Sequence, residues 1–171
     1  MVSYGLAYGM EAYGLGQRLN IPTEEAAVIL DAYFEAFPNV KSYMDRTVVE
    51  ARKVGYTETL FGRRRPIPEL LDGNWRIRQA GERQAMNAGI QGLAADIFKV
   101  ALVRIDEGLR HRGSAARLVL QVHDEVLLEV PEEERDETGP YVVELMRHAA
   151  ELDVPLEVNS AWGATWADAK S

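Results

Sequence analysis

The sequence predicts an α+β protein, and three observations carry that prediction. Helix-like segments fill most of residues 1–112, the apolar pattern changes to strand-like alternation at residue 116, and a helical segment follows Pro131. Helices followed by a hairpin with packed helices are typical of the α+β class. We therefore expect a helical segment, and after it a subdomain built on an antiparallel hairpin.

Proline, glycine and capping residues mark the ends of the predicted helices. Glycine costs about 1 kcal/mol relative to alanine inside a helix, so glycine pairs tend to end or bend one. Proline fits the first helical turn, and glycine the position just after the last. The predicted helices are 2–13, ended or bent by Gly14 and Gly16; 23–37, capped by Thr23; 38–54, begun by Pro38 and stopped by Gly55; 74–112, capped by Asn74 and interrupted near Gly89 and Gly92; and 131–150, with a break at Gly139 and Pro140.

Alternating apolar residues predict the strands. Residues 116–122 and 126–130 form the hairpin, and 154–161 form a closing strand. A short strand over 56–61 is followed by a turn at Gly62 and a loop through Pro68.

Composition excludes several classes of function. The 171 residues include no cysteine, which removes disulfides, thiolate metal sites and cysteine nucleophiles. The formal net charge of −8 argues against a small basic DNA-binding module and against an anionic membrane surface. Because no apolar stretch approaches the ~18 residues of a membrane span, we expect a cytoplasmic protein without membrane association.

The charge is unevenly distributed. Residues 41–83, the basic strip, hold ten basic and six acidic residues, for a net charge of +4, whereas the remainder carries −12. Charges farther away than a Debye length of ~8 Å are largely screened, so the charge nearby counts for more than the total charge of the chain. A basic strip on an acidic protein can therefore follow a phosphate backbone. A solvated charged face is the alternative, and charge alone does not decide between them.

The predicted hairpin tip breaks a local rule. Tight hairpin turns favour Asn-Gly or Asp-Gly, yet here the strands are separated by His123, Asp124 and Glu125. Broken local rules are expected at functional sites, and a carboxylate at a rigid strand end suits Mg²⁺, which takes oxygen ligands. The alternative is a simple polar turn.

Two helical faces are further candidates. Tyr4 and Tyr8 share a face beside two glycines, which leaves room for a base to stack or for another helix to pack. Arg83, Asn87 and Gln91 recur every four residues and form either a reader of minor-groove acceptors or a solvated polar stripe.

Taken jointly, four segments carry a resemblance. SYGLAYGMEAYGL (residues 3–15), TETLFGRRR (57–65), ERQAMNAGIQGLAADI (82–97) and LQVHDEV (120–126) resemble, in order and spacing, the C-terminal part of the bacterial DNA polymerase I family, the family A DNA polymerases. VPLEVNSAWGATW (154–166) is similar to that family's C-terminus. Gly89, Leu93 and Pro66 depart from the family pattern and affect local positioning only.

The resemblance implies a partial right-hand polymerase fold, with residues 1–72 as the rear of the fingers and 73–171 as most of the palm. It implies a DNA-directed DNA polymerase of replication and repair, with Mg²⁺, primer–template DNA and deoxynucleoside triphosphates as partners and a nucleoid-associated location. The resemblance implies that Tyr4 senses the incoming nucleotide and that Tyr8 lies next to the templating base. It implies DNA contacts for two further sets: the template for Arg63, Arg64 and Arg65, and the primer–template for Arg83, Asn87 and Gln91. At the hairpin it implies that His123 lies at the primer terminus, that Asp124 binds the metal and that Glu125 supports this metal binding.

The resemblance also implies parts that these 171 residues lack. Two-metal phosphoryl transfer takes carboxylates from more than one segment, and the family's upstream D-x-S-x-x-E motif does not occur here. The arginine and lysine that grip the triphosphate precede the position of Met1. We therefore expect a two-ion Mg²⁺ site only partly supplied by this chain and no polymerase activity of the chain alone. The alternatives are a non-catalytic DNA-binding remnant, or half of a split polymerase completed in trans by the missing N-terminal region.

Overall fold

The computed structural model describes Gly5 and residues 9–170, and the chain divides into two units, Met1–Leu93 and Ala94–Ser171. Among the described residues, none of the helices has the length and apolar character needed to cross a membrane. The helices are α1 (Ala12–Leu19), α2 (Thr23–Ala36), α3 (Pro38–Val54), α4 (Trp75–His111), α5 (Arg135–Arg147) and α6 (Trp166–Ala169). The strands are β1 (Tyr56–Glu58), β2 (Arg64–Pro66), β3 (Arg117–Val122) and β4 (Glu125–Glu129), and short 3-10 helices cover Pro68–Leu71 and Glu132–Glu134.

Several helix ends lie where the sequence predicts them. Pro38 occupies the first turn of α3, and Gly55 ends that helix with a left-handed φ of 80°. The Asn74 side-chain oxygen accepts from the backbone N–H of Arg76 at 2.9 Å, as expected of a residue capping α4. The predicted start and end of α3 and the predicted cap of α4 are therefore confirmed, and each depends only on residues close in sequence.

Other predictions for the first helices are wrong. The described part of the helix predicted over 2–13 includes residues 9–11, which are not helical, and α1 then runs through both Gly14 and Gly16. Thr23 is the first residue of α2 and does not cap it through its side chain. At Gly16 the backbone of Ile21 packs against the helix so closely that there is no room for a side chain, which explains a glycine inside α1.

Gly16 and Gly14 provide a matched pair of substitutions in one helix. A Cβ on Gly16 would lie 2.9 Å from the carbonyl oxygen of Ile21, whereas a Cβ on Gly14 would lie 3.3 Å from the flexible Met10 side chain. We expect Gly16→Ala to lower the free energy of unfolding by about 1–3 kcal/mol, because the backbone must move. Gly14→Ala should raise it by up to about 1 kcal/mol through helix propensity. Urea unfolding measures both, and equal shifts would contradict this packing.

The interruption predicted in α4 near Gly89 and Gly92 is also wrong, since the helix is continuous from Trp75 to His111. Neighbouring side chains fill the space beside both glycines. A Cβ on Gly89 would lie 2.7 Å from the Tyr43 hydroxyl, and one on Gly92 would lie 2.7 Å from the Thr59 methyl group. The two glycines therefore permit close packing and do not break the helix.

The strand predictions are confirmed at the hairpin, confirmed in part over residues 56–61 and wrong over residues 154–161. Strands β3 and β4 pair antiparallel, with a register shift at Val119. The strand predicted over 56–61 ends at Glu58, and residues 64–66, predicted as turn and loop, form its partner β2. Residues 154–161 form no strand, because a strand needs a partner and none of the described strands pairs with them. Gly139 and Pro140 lie inside α5 without ending it.

The second unit has its own apolar core, which fixes the hairpin. Ile105 and Leu109 of α4 are buried with Ala116 and with Val142 of α5. The partly buried residues packed against them include Leu118, Val126, Leu128 and Val130 of the β3–β4 region. The hairpin tip is therefore carried on a packed apolar base.

Glu134 fastens the chain just before β3. It accepts hydrogen bonds from the Ser114 hydroxyl and, at 3.0 Å, from the Ala115 backbone N–H. The Ser114 hydroxyl, and then the Ala115 N–H, hold the pKa of Glu134 below its ordinary value. The stabilisation is thus complete above the ordinary carboxyl pKa of ~4.3 and is lost as the pH falls through the lower folded-state pKa.

We expect Glu134→Gln to be destabilising near neutral pH and to converge with the parent chain as the pH falls below about 4. Chemical unfolding at pH 3.0–7.0 measures this. The exposed Glu133→Gln is the control, and a difference between Glu134→Gln and parent that stays constant with pH would contradict the assignment.

Candidate functional site

The sequence-predicted residues of the hairpin lie together at its tip. Val122 pairs with Glu125, so His123 and Asp124 form the turn and Glu125, expected between the strands, is the first residue of β4. His123 has a φ of 53°, a left-handed conformation that is uncommon without glycine. The Gln121 side-chain amide donates to the His123 carbonyl oxygen at 2.7 Å and braces this turn.

The two carboxylates of the tip differ in their partners. Asp124 is exposed, and within the part of the chain that the structure describes no side-chain hydrogen bond or ion pair occupies its carboxylate. Glu125 instead forms an ion pair with Lys170, in which the Lys170 Nζ lies 3.1 Å from the Glu125 Oε2. Asp124 is therefore the carboxylate available to a ligand.

Carboxylate oxygens are the donors that Mg²⁺ prefers, and Asp124 and Glu125 place two carboxylates on adjacent residues. The chemistry of this donor set fits the ion. No group of three or more acidic or histidine ligands occurs among the described residues. The tip thus fits as a part of a metal site.

A second candidate surface lies in the first unit, where the three arginines have different partners. Arg63 donates to the carbonyl oxygen of Gly92 in α4 at 2.7 Å, and Arg65 donates to Gln84 at 3.3 Å. Arg64 pairs with Glu58 at 2.5 Å and lies over the Tyr56 ring, 4.8 Å from its centroid. The hydrogen bond to Glu58, and then the charge of Tyr56, raise the pKa of Arg64.

The predicted stripe on α4 is one helical face, because the helix is unbroken there. Arg83 and Gln91 are exposed and Asn87 is half-buried. Arg83 lies 3.6 Å from the Glu11 carboxylate. Arg63 and Arg65 bond to Gly92 and Gln84 of α4, each one position along the helix from a stripe residue, so the arginine triplet lies beside α4 in the first unit.

Tyr4 and Tyr8 lie outside the described residues, so their shared face stays a prediction.

Sequence reasoning missed the partner of Glu125. Thr165 and Asp168 form a capping box at α6, which carries Lys170 just beyond its end. The T-x-x-D spacing is a signal visible in the sequence. What it cannot reveal is that α6 lies beside the hairpin.

Comparison with solved structures identifies the fold. The structure matches the POL domain of Pol1 from M. smegmatis in complex with DNA primer-template and dNTP, with a TM-score of 0.96 and 51% identity over 99% of this chain and 30% of that chain. The fold thus matches a part of a polymerase domain.

Comparison with known sequences agrees. The family model "DNA polymerase family A" matches residues 1–168, and the chain belongs to that family. It is 51% identical to DNA polymerase I of Mycobacterium tuberculosis over 165 residues, and 48% identical to DNA polymerase I of Bacillus subtilis over 169 residues. These alignments cover 96% and 99% of this chain but only 18% and 19% of those proteins, so the chain spans about a fifth of their length.

Proposed function

We propose that this chain supplies the rear of the fingers (residues 1–72) and most of the palm (residues 73–171) of a DNA-directed DNA polymerase that acts in replication and repair. The observation that carries the proposal is the exposed Asp124 carboxylate at a braced, left-handed turn within a fold that matches a polymerase domain. The reaction is attack of a primer 3′-hydroxyl on the α-phosphate of a deoxynucleoside triphosphate chosen by the template, which breaks the bond from that phosphorus to the β-phosphate oxygen and releases pyrophosphate.

Each site residue has a role in this proposal. Asp124 holds the metal, Glu125 supports it and His123 contacts the primer terminus. Bound Mg²⁺ supplies Lewis-acid stabilisation of the charge that develops on the transferring phosphoryl group. The DNA- and nucleotide-contacting residues are Tyr4 and Tyr8 for the nucleotide and templating base; Arg63, Arg64 and Arg65 for the template; and Arg83, Asn87 and Gln91 for the primer–template.

The contacts of the arginine triplet with α4, the helix that also carries the stripe, support the DNA contacts. Guanidinium and amide groups donate hydrogen bonds to phosphate oxygens and to minor-groove acceptors. Two of the three arginines are already fixed by bonds to α4, which lowers the entropy lost when they engage a backbone. We propose primer–template DNA as the macromolecular partner and the cytoplasm, at the nucleoid, as the location.

We further propose that the 171 residues by themselves do not polymerise DNA. Two-ion phosphoryl transfer takes carboxylates from more than one segment, and the residues that the structure describes offer no cluster of three metal ligands. The missing carboxylate and triphosphate-binding groups then come from the rest of a polymerase domain, in one polypeptide or in trans.

Segment exchange tests the proposal. The matching segment of the M. smegmatis POL domain is replaced by this chain, giving what we call the exchanged domain. We expect the exchanged domain to extend a primer and the 171-residue chain alone to give no extension. Extension by the chain alone would contradict its dependence on other segments. A folded exchanged domain that binds DNA without extending it would favour the alternative, a non-catalytic DNA-binding remnant that uses the basic strip.

A further inference from the structure

The carboxylate of Glu125 is held by residues to which the proposed function gives no individual role. Residues 162–170, here called the 162–170 arm, end in Lys170, whose ammonium lies 3.1 Å from Glu125 and 4.7 Å from the centroid of the Trp166 ring. The ammonium thus has an anion on one side and an aromatic face on another, two contacts that restrict a flexible side chain.

The arm is itself anchored to the second unit. A Cβ on Gly139 of α5 would lie 2.7 Å from the Trp162 ring, and the Arg135 guanidinium lies 5.2 Å from the centroid of that ring. A Cβ on Gly163 would lie 2.6 Å from the Ala169 backbone nitrogen, so α6 folds back onto this glycine.

The capping box completes this construction. The Thr165 hydroxyl accepts from the Asp168 N–H at 3.3 Å, and the Asp168 carboxylate accepts from the Thr165 N–H at 3.1 Å. A four-residue helix is not stable alone, and here the box and the glycine contact hold it. These contacts fix α6 and thereby place Lys170 beside Glu125.

We infer that Lys170 is a positioning residue, which holds the Glu125 carboxylate on the side of the arm and leaves Asp124 as the metal ligand of the hairpin. The side chains of Lys170 and Glu125 are 52% and 47% exposed, so the pair contributes little to stability. The pair instead fixes the position of the Glu125 carboxylate and neutralises its negative charge with the Lys170 ammonium. This inference rests on the proposed metal role of Asp124.

Removing the ammonium should release a second carboxylate beside Asp124. We expect Lys170→Gln to raise the affinity of the 171-residue chain for Mn²⁺ about two- to fivefold, the range of a partly exposed ion pair. Lys170→Arg should keep the parent affinity, because it keeps the pair. Glu125→Gln combined with Lys170→Gln should abolish this rise, because the released carboxylate is then gone.

Electron paramagnetic resonance of free Mn²⁺ measures this affinity without any polymerase activity. Lys99→Gln, an exposed lysine of the same unit, is the control for loss of charge, and thermal unfolding checks each fold. Thr165→Val, which removes the capping box but retains Lys170, should shift the affinity in the same direction as Lys170→Gln.

Two failures are distinguishable. If Asp124→Asn lowers Mn²⁺ affinity while Lys170→Gln leaves it at the parent value, the positioning role alone is overturned. If Asp124→Asn has no effect on Mn²⁺ affinity, the proposed metal role is overturned and the positioning role with it. An equal rise in Lys99→Gln and Lys170→Gln would reduce the effect to net charge, which also overturns the positioning role.

Discussion

Replacing Asp124 with asparagine is expected to lower primer extension by the exchanged domain at least about a hundredfold. A metal ion contributes several kcal/mol to stabilising the transferring phosphoryl group, and each 1.36 kcal/mol changes the rate tenfold. Asparagine keeps the size of the side chain and removes the charge that holds the ion. The Asp124 side chain is exposed on a turn whose brace comes from Gln121 and the His123 carbonyl, so the fold should survive.

Single-turnover extension at saturating nucleotide measures the rate, and primer–template binding is measured in parallel. Asp153→Asn is the matched control, because it makes the same change at another exposed acid of the second unit. We expect Asp153→Asn to extend primers at the parent rate. A rate for Asp124→Asn within tenfold of that control would contradict the metal role.

Neutralising two of the three arginines should change how DNA binding responds to salt. Arg64→Gln with Arg65→Gln is expected to lower the slope of log K against log salt by about 2, one unit for each phosphate contact. An exposed ion pair such as Arg64–Glu58 contributes little to stability, so Arg64 can exchange Glu58 for a phosphate. Arg63 is left intact, because its bond to the Gly92 carbonyl ties the β1–β2 hairpin to α4.

The control has the same loss of charge outside the basic strip. Arg110→Gln with Arg117→Gln removes two exposed arginines that are also ion-paired, to Asp106 and Glu129. Fluorescence anisotropy of labelled primer–template at several salt concentrations compares the two double variants of the 171-residue chain. Equal slopes for the two would show a general charge effect and contradict a footprint at the triplet.

Local chemistry explains which features could be predicted from the sequence. The β3–β4 hairpin follows from alternation that places Leu118 and Leu128 on a core face. The ends of α3 follow from Pro38 and Gly55, whose backbone preferences need no neighbour. The unusual turn at His123 was visible because no glycine was available for a position that needs a positive φ.

The failures share a cause, which is that they depend on residues distant in sequence. Gly89 and Gly92 predict a break until Tyr43 and Thr59 are seen to fill the space beside them. The expected metal and DNA residues came from motifs, but the ion pair of Glu125 needed the placement of α6. No periodicity in the sequence states that Lys170 lies beside residue 125.

The most direct test of the central claim is template-directed addition of one nucleotide by the exchanged domain. Four primer–templates that differ only in the templating base are each given the four deoxynucleoside triphosphates separately. We predict addition of the complementary nucleotide on every template, and loss of that addition with Asp124→Asn. Addition that does not depend on the template, or no addition by a folded exchanged domain that binds DNA, would contradict the assignment of this chain to the fingers and palm of a DNA polymerase.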